Sequence, residues 1–341
     1  MKIFLRLLFA GLVIVGFMVV ERICRQKGNR DEVIREFFFG NKPPDAYDVI
    51  AFGSSYMYCT VNPVQLYRDT GLRSYVPGTA IQPVEMTYHY LKLALRKYHP
   101  QLVMVGSSLF VFRPKPTPYR EGYAHFASDP FPLGIDKVQM LADQHLEDSM
   151  ENYLFPFLKY HARWKNLKKN DFCLSHRPPG VKDGLFMGFQ LNTRCTTNSV
   201  TQIDFAKEKC SPMSEESIMY LEKIVELCKA NGVKLLLFNS VRNSARAQGR
   251  LATLHRIAAE RKIDFLDLNE VFNETGISNA TDFHDVGHLN ITGAEKATRY
   301  LGRYLQRHYQ LKVCQDAQER KQWDAICQHY DEVKKSLLKI R

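Results

Sequence analysis

No two of the eight cysteines, at positions 24, 59, 173, 195, 210, 228, 314 and 327, form a C-x-x-C pair. A zinc ribbon and a thioredoxin-type redox site are therefore unsupported. Pairing of Cys314 with Cys327, or of Cys195 with Cys210, would suit an extracellular location; buried free thiols are the alternative. The chain has no internal repeat and no low-complexity tract. It also lacks an arginine-rich arm or an RNP-like aromatic pattern, and its 47 Lys and Arg are interspersed with 36 Asp and Glu. The net charge of +11 thus does not point to nucleic acid. Attraction to anionic lipid or to an anionic wall polymer is the simpler use of it.

What is present is ordinary for a globular protein with a sizeable core: 341 residues, 45% hydrophobic and 24% charged, enough for one large or two small domains. The N-terminus departs from that average. Lys2 and Arg6 precede an uninterrupted apolar run from Leu7 to Val20, followed by a basic cluster. Counted from Ile3, with Arg6 snorkelling, the run reaches the roughly 17 residues that a thin bilayer needs. Val19, Val20, Glu21 and Arg22 offer no small-x-small cleavage signal. The segment reads as an uncleaved signal anchor over residues 1–30, rather than as a cleaved signal peptide or a buried core helix. Arg22, Arg25, Lys27 and Arg30 balance Lys2 and Arg6 across it, so charge counting leaves the topology open.

After a Pro-containing linker the chain alternates between strand-like and helix-like segments. "DVIAFG", "LRSYVPG", "QLVMVGSS", "VKLLLFNSV" and "IDFLDL" predict strands, each a short apolar run bounded by turn residues. "PVEMTYHYLKLALRKY", "SEESIMYLEKIVELCKANG", "ARAQGRLATLHRIAAERK" and "TGAEKATRYLGRYLQRHY" predict helices, the second opening at Ser214 and stopping at Asn231-Gly232. Single helices between strands imply a parallel sheet with helices on both faces. Residues 113–213 lack the alternation and are rich in Pro, aromatic and basic residues, which predicts an insertion of helices and loops over one edge of the sheet. Its "YLFPFLKY" packs on the core in the simpler reading and lines a substrate groove in the other. The tail from 312 to 341 predicts an amphipathic helix on the domain or on the membrane surface.

Residues 47–63, "YDVIAFGSSYMYCTVNP", raise the functional question, because the strand stops at Gly53-Ser54-Ser55. A parallel strand delivers its last residues to the rim where ligands bind, and Gly permits the tight turn there. Near the other end, "TDFHDVGHLNITGAEK" carries Asp285 and His288 in a loop before a helix. A serine hydroxyl becomes a nucleophile when a histidine takes its proton, and that imidazole needs an acid to fix its tautomer. Ser55, His288 and Asp285 supply the three roles.

These blocks resemble the SGNH/GDSL hydrolase superfamily. Gly53-Ser54-Ser55 falls on the family's nucleophile turn, with Ser54 where its Asp stands, and Asp285-Val286-Gly287-His288 falls on its late Asp-x-x-His. Gly78 in "SYVPGTAIQP" matches the glycine whose backbone N–H joins the oxyanion hole. The third block normally reads Gly-x-Asn-Asp but here is "VGSSLF". Gly106 is present and the oxyanion Asn is missing, which leaves Ser107 or Ser108 as substitute donors, or no side-chain donor at all. That departure, the anchor, "GHLNITGAEK" and "YLFPFLKYHARW" resemble the membrane-anchored DltD-like branch.

Over residues 45–311 the resemblance implies a three-layer, flavodoxin-like α/β fold with a parallel sheet, facing outward from the cell membrane. It further implies serine-dependent acyl transfer or ester hydrolysis on a cell-envelope polymer such as a teichoic acid or polysaccharide, with an acylated carrier as a further substrate class. The acyl-Ser55 intermediate would form in an oxyanion hole of Ser55 and Gly78 N–H groups. A membrane-bound O-acyltransferase is the implied partner, and no cofactor or metal is required.

Two rival readings use the same residues. His284, Asp285 and His288 have metal-ligand character, although Gly287 favours a loop over the helix that would align them. Asp282 either caps this loop or supports the site. Alternatively, the fold has lost its chemistry and binds or assembles envelope polymer. The discriminating quantity is whether Ser55 and His288 lie within hydrogen-bonding reach, roughly 2.6 to 3.2 Å.

Overall fold

A computed structural model describes residues 1–26, 28, 30–112, 118–172, 186–243 and 247–339. Five strands, β1 (Val49–Phe52), β2 (Ser74–Tyr75), β3 (Leu102–Gly106), β4 (Lys234–Asn239) and β5 (Asp264–Asp267), form one sheet. Their order is β2-β1-β3-β4-β5 and every pairing is parallel. The central strands are short and apolar with both faces covered, as helical crossovers require.

Alternation along each strand sorts its side chains between two cores. Ile50, Phe52, Val103, Val105 and Leu237 face one, with the helices Asp31–Phe39, Val84–Lys97, Glu215–Ala230 and Gln248–Glu260. Val49, Ala51, Met104, Leu236 and Leu266 face the other, with Pro63–Thr70, Ile291–His308 and the C-terminal helix Ala317–Lys339. The helix Glu215–Ala230 begins where expected, the Ser214 side chain accepting from Ser217 N–H.

Three features extend beyond the reading from sequence. The helix Asp31–Phe39 buries Val33, Ile34, Phe37 and Phe38, and the Phe37 ring sits among Phe38, Tyr47, Tyr75 and Tyr98. The core therefore takes in residues before position 45. The C-terminal helix belongs to the domain: Trp323, Cys327 and Tyr330 are buried, and Tyr330 donates to Glu295 Oε1 and accepts from Asn62 Nδ2, both at 2.9 Å. Asn62 in turn caps the helix Pro63–Thr70. Third, the insertion packs its helix Ile135–Ala142 on Val84–Lys97 and its later turns on the N-terminal helix, so it covers helices rather than a bare sheet edge. Within "YLFPFLKY", Tyr153 and Tyr160 are buried while Phe155 and Leu158 are exposed. The "SHRPPGVKDG" stretch lies outside the described residues.

The cysteine pairings are corrected. Cys195, Cys210, Cys314 and Cys327 are all free thiols, as are Cys24, Cys59 and Cys228; Cys173 lies outside the described residues.

The N-terminal helix, Lys2–Cys24, is long and apolar enough to cross a membrane, and its 18-residue apolar window has no buried residue. At its end, the arginines of the basic cluster are not free charge. Arg22 pairs with Asp31 and Glu32, Arg25 pairs with Asp31, and buried Arg30 donates to the carbonyls of Gly78 and Val76.

Tyr330→Phe is expected to lower unfolding stability by about 1 to 3 kcal/mol, because Glu295 and Asn62 lose a buried partner. Urea unfolding should show a lower midpoint at unchanged slope. Wild-type stability would mean that this contact adds nothing.

Candidate active site

The strand order reverses direction at β1, which lies between β2 and β3, and the crevice of an open parallel sheet forms at the carboxyl ends of such strands. Gly53-Ser54-Ser55 follows β1 directly, and Ser55 opens a single helical turn, Ser55–Tyr58. Its N–H is thus among those without an intrahelical acceptor. The loop after β2 presses onto this turn so closely that a Cβ on Gly78 would sit 2.1 Å from the Gly53 carbonyl oxygen. Only glycine fits there.

The loop carrying Asp285 and His288 is built from its own polar contacts. Asn290 accepts from Gly293 N–H, capping the helix Ile291–His308, while its Nδ2 donates to the Thr281 carbonyl at 2.7 Å. Buried Asp282 accepts from Ser278 N–H and from Lys296 Nζ at 2.7 Å, which assigns it to holding the loop. Phe283 bridges to both Thr196 and Leu289. His284 donates its backbone N–H to the His288 carbonyl at 2.8 Å, closing the turn.

This places His288 Nε2 at 2.8 Å from Ser55 Oγ, and His288 Nδ1 at 2.9 Å from Asp285 Oδ2. One tautomer satisfies both contacts: Nδ1–H donates to Asp285, and Nε2 accepts from the Ser55 hydroxyl. Asp285 Oδ1 also accepts the backbone N–H groups of Gly287 and His288, at 2.8 and 2.9 Å. Burial pushes the Asp285 carboxyl up, but these hydrogen bonds and the His288 ring more than offset it, and the net shift is downward.

Of the two candidate side-chain donors, Ser107 is engaged elsewhere. Its hydroxyl donates to Asn239 Oδ1 at 2.7 Å and its backbone N–H to the Phe238 carbonyl. Ser108 lines the cavity at the site, its hydroxyl 3.2 Å from that of Ser54.

Two residues that the sequence did not single out complete the surroundings. The Tyr56 ring stacks on His288 at 5.2 Å between centroids. Behind it, the fully buried Arg242 guanidinium lies 4.3 Å from the Tyr56 centroid and 4.4 Å from that of Phe112, with Nη2 donating to Asn239. Burial pulls the Arg242 pKa down, with Tyr56 and Asp267 opposing. Tyr56 is adjacent to Ser55 in "GSSYMY", but Arg242 in "NSVRN" carries no local signal.

A cavity of about 630 Å³ opens at Ser55 and His288, within the range of small-molecule sites. Leu109, Phe110 and Phe112 give it an apolar wall; Glu85, Glu121 and Arg250 add charge. From the insertion it takes residues between 121 and 146 together with Pro212, not "YLFPFLKY".

Among the described residues, one grouping of His, Cys, Asp or Glu brings three donor atoms within 4.8 Å of one another: Glu121, His125 and Asp148. His284, Asp285 and His288 do not form one. In the grouping, His125 Nε2 lies 3.1 Å from Asp148, Lys159 donates to Asp148, and the Tyr153 hydroxyl donates to Glu121. It serves as an ion-paired cluster inside the insertion.

No family model matches the chain, and no curated protein matches it.

Asp285→Asn is expected to destabilise the fold in a pH-dependent way. A carboxyl whose pKa is lower in the folded state contributes stability above its unfolded value, near 3.8, and loses it as pH falls through the folded value. The Tm gap between wild type and Asp285→Asn should therefore be widest at neutral pH, begin to narrow near pH 3.8 and close only below the lower folded-state value. A gap that grew on acidification would contradict the assignment.

Proposed function

We propose that the protein is a membrane-anchored serine acyltransferase or esterase of SGNH type, with its α/β domain outside the cell membrane, acting on an acylated cell-envelope polymer. The observation that carries the reading is the contiguous Ser55–His288–Asp285 relay, at 2.8 and 2.9 Å, opening into a cavity at the strand ends. The Ser55–His288 distance lies inside the window expected of an active pair, which favours catalysis over the polymer-binding alternative. The strand order β2-β1-β3-β4-β5 supports a flavodoxin-like sheet, and the match of Gly53, Gly78 and Gly106 to three motif blocks supports the family.

In the proposed reaction, Ser55 Oγ attacks the ester carbonyl while its proton passes to His288 Nε2. The oxyanion is held by the N–H groups of Ser55 and Gly78 and by the Ser108 hydroxyl, donors worth a few kcal/mol each. Collapse of the tetrahedral intermediate breaks the ester bond, and His288 returns the proton to the departing alcohol. An incoming hydroxyl then attacks acyl-Ser55, again losing its proton to His288, which passes it to the freed Ser55. Water as the incoming group makes an esterase; a sugar or polyol hydroxyl makes a transferase, for which a membrane-bound O-acyltransferase is the fitting donor partner. Asp285 orients the imidazole and stabilises its charged form.

Intact-mass measurement of the detergent-solubilised full chain after a fluorophosphonate probe tests this. Wild type should gain one probe mass, while Ser55→Ala and His288→Ala should gain none. Labelling of Ser55→Ala equal to wild type would remove Ser55 as the nucleophile. With a p-nitrophenyl ester, Ser55→Ala should lower turnover by about 10³-fold or more.

A further inference from the structure

We infer that the insertion lies on the membrane: the segment from Phe155 to Phe172 forms an interfacial platform for an anionic bilayer beside the spanning helix. This inference is independent of the acyl-transfer reading.

The first observation is depth. The Phe157 ring packs edge-on against Phe17 of the helix Lys2–Cys24, with centroids 5.4 Å apart. Phe17 lies three residues before Val20, where the apolar run ends, about 4.5 Å along the helix axis. A ring that touches Phe17 has therefore passed the end of the apolar run and reached the shallow end of the depth at which interfacial helices bury their apolar faces, about 5 to 10 Å.

The second is continuity. The turns His161–Asn166 and Lys169–Phe172 pack on the same helix, and Arg163 donates to the Cys24 carbonyl at 2.7 Å, satisfying a group at the helix end. Arg163 also pairs with Asp171 at 2.8 Å, which binds the two turns together. With Arg22 and Arg25 clamped to Asp31, the joint between helix and domain is fixed.

The third is composition. Phe155, Leu158, Trp164 and Phe172 are exposed by 46 to 66% on this one segment, more than water-facing packing accounts for. An aromatic set beside a spanning helix matches the aromatic belt of membrane interfaces. Lys165, Lys168 and Lys169 are exposed among these residues, and the Lys165 ammonium lies 5.8 Å from the Trp164 ring. Their charge complements anionic headgroups. The bilayer is thus the partner that both the apolar and the basic residues fit.

The chain has two tryptophans, and Trp323 is buried against Tyr67 on the far helix, so the Trp164 signal can be isolated. Full-length wild type and Trp164→Phe are reconstituted in phosphatidylcholine–phosphatidylglycerol vesicles, and the difference in emission reports Trp164. Lipid brominated near the top of the acyl chain should remove more than half of that difference signal, while aqueous iodide should leave it nearly unchanged. Strong iodide quenching without bromolipid quenching would place the segment in water and overturn the inference. Protection from both quenchers would mean that protein covers it, a second copy or another membrane protein, and would overturn it equally.

Discussion

All five strands run the same way, and that constraint is what lets residues far apart in the chain meet. A parallel sheet collects the carboxyl ends of its strands on one rim, so the turn after β1 and the long loop after β5 open toward the same space. The glycines at the rim set how near the strand ends approach. Gly53 lies against Gly106, and Gly78 against the Gly53 carbonyl. A side chain at position 78 would push the β2 loop off the Gly53-Ser54-Ser55 turn and separate the N–H groups of Ser55 and Gly78, the pair proposed to hold an oxyanion. The three glycines thus define one surface, on which Ser55 stands.

That surface is coupled to the N-terminal end of the chain. Arg30, six residues past the N-terminal helix, reaches the carbonyls of Gly78 and Val76 and lies 4.0 Å from the Tyr58 centroid. Burying a guanidinium costs free energy unless its donors are satisfied, and here backbone carbonyls and an aromatic face take that role. The arginines beyond the helix read as flanking charge in the sequence, yet fold into the domain as struts. They tie the end of the helix to the domain that carries Ser55 and His288.

How much was legible follows from how local each determinant is. β1, β3, β4 and β5 announce themselves as apolar runs ending in turn residues, and Ser55, Asp285 and His288 stand in short motifs whose spacing carries their chemistry. The helix Asp31–Phe39 has its apolar residues at helical spacing, but it sits between a basic cluster and a Pro-rich linker, which mask it in the sequence. Ser107 and Ser108 are adjacent and chemically identical; only the backbone turns one toward Asn239 and the other toward the cavity. The Tyr56–Arg242 contact depends on two strand ends meeting, and nothing near position 242 encodes it.

The exposure of Asp285 decides how His288 is held. Its side chain is 43% exposed, so water screens its attraction to the ring, and that attraction is worth little by itself. Orientation must then come from geometry. The backbone N–H groups of Gly287 and His288 pin the carboxylate, and the carboxylate pins Nδ1 at the edge of the ring. Tyr56 covers a ring face, with Arg242 lying 4.3 Å from the Tyr56 centroid. An imidazole constrained at its edge and on a face keeps Nε2 aimed at Ser55 without a desolvated acid behind it. The stacked tyrosine supplies part of the positioning that a buried carboxylate supplies in a drier triad.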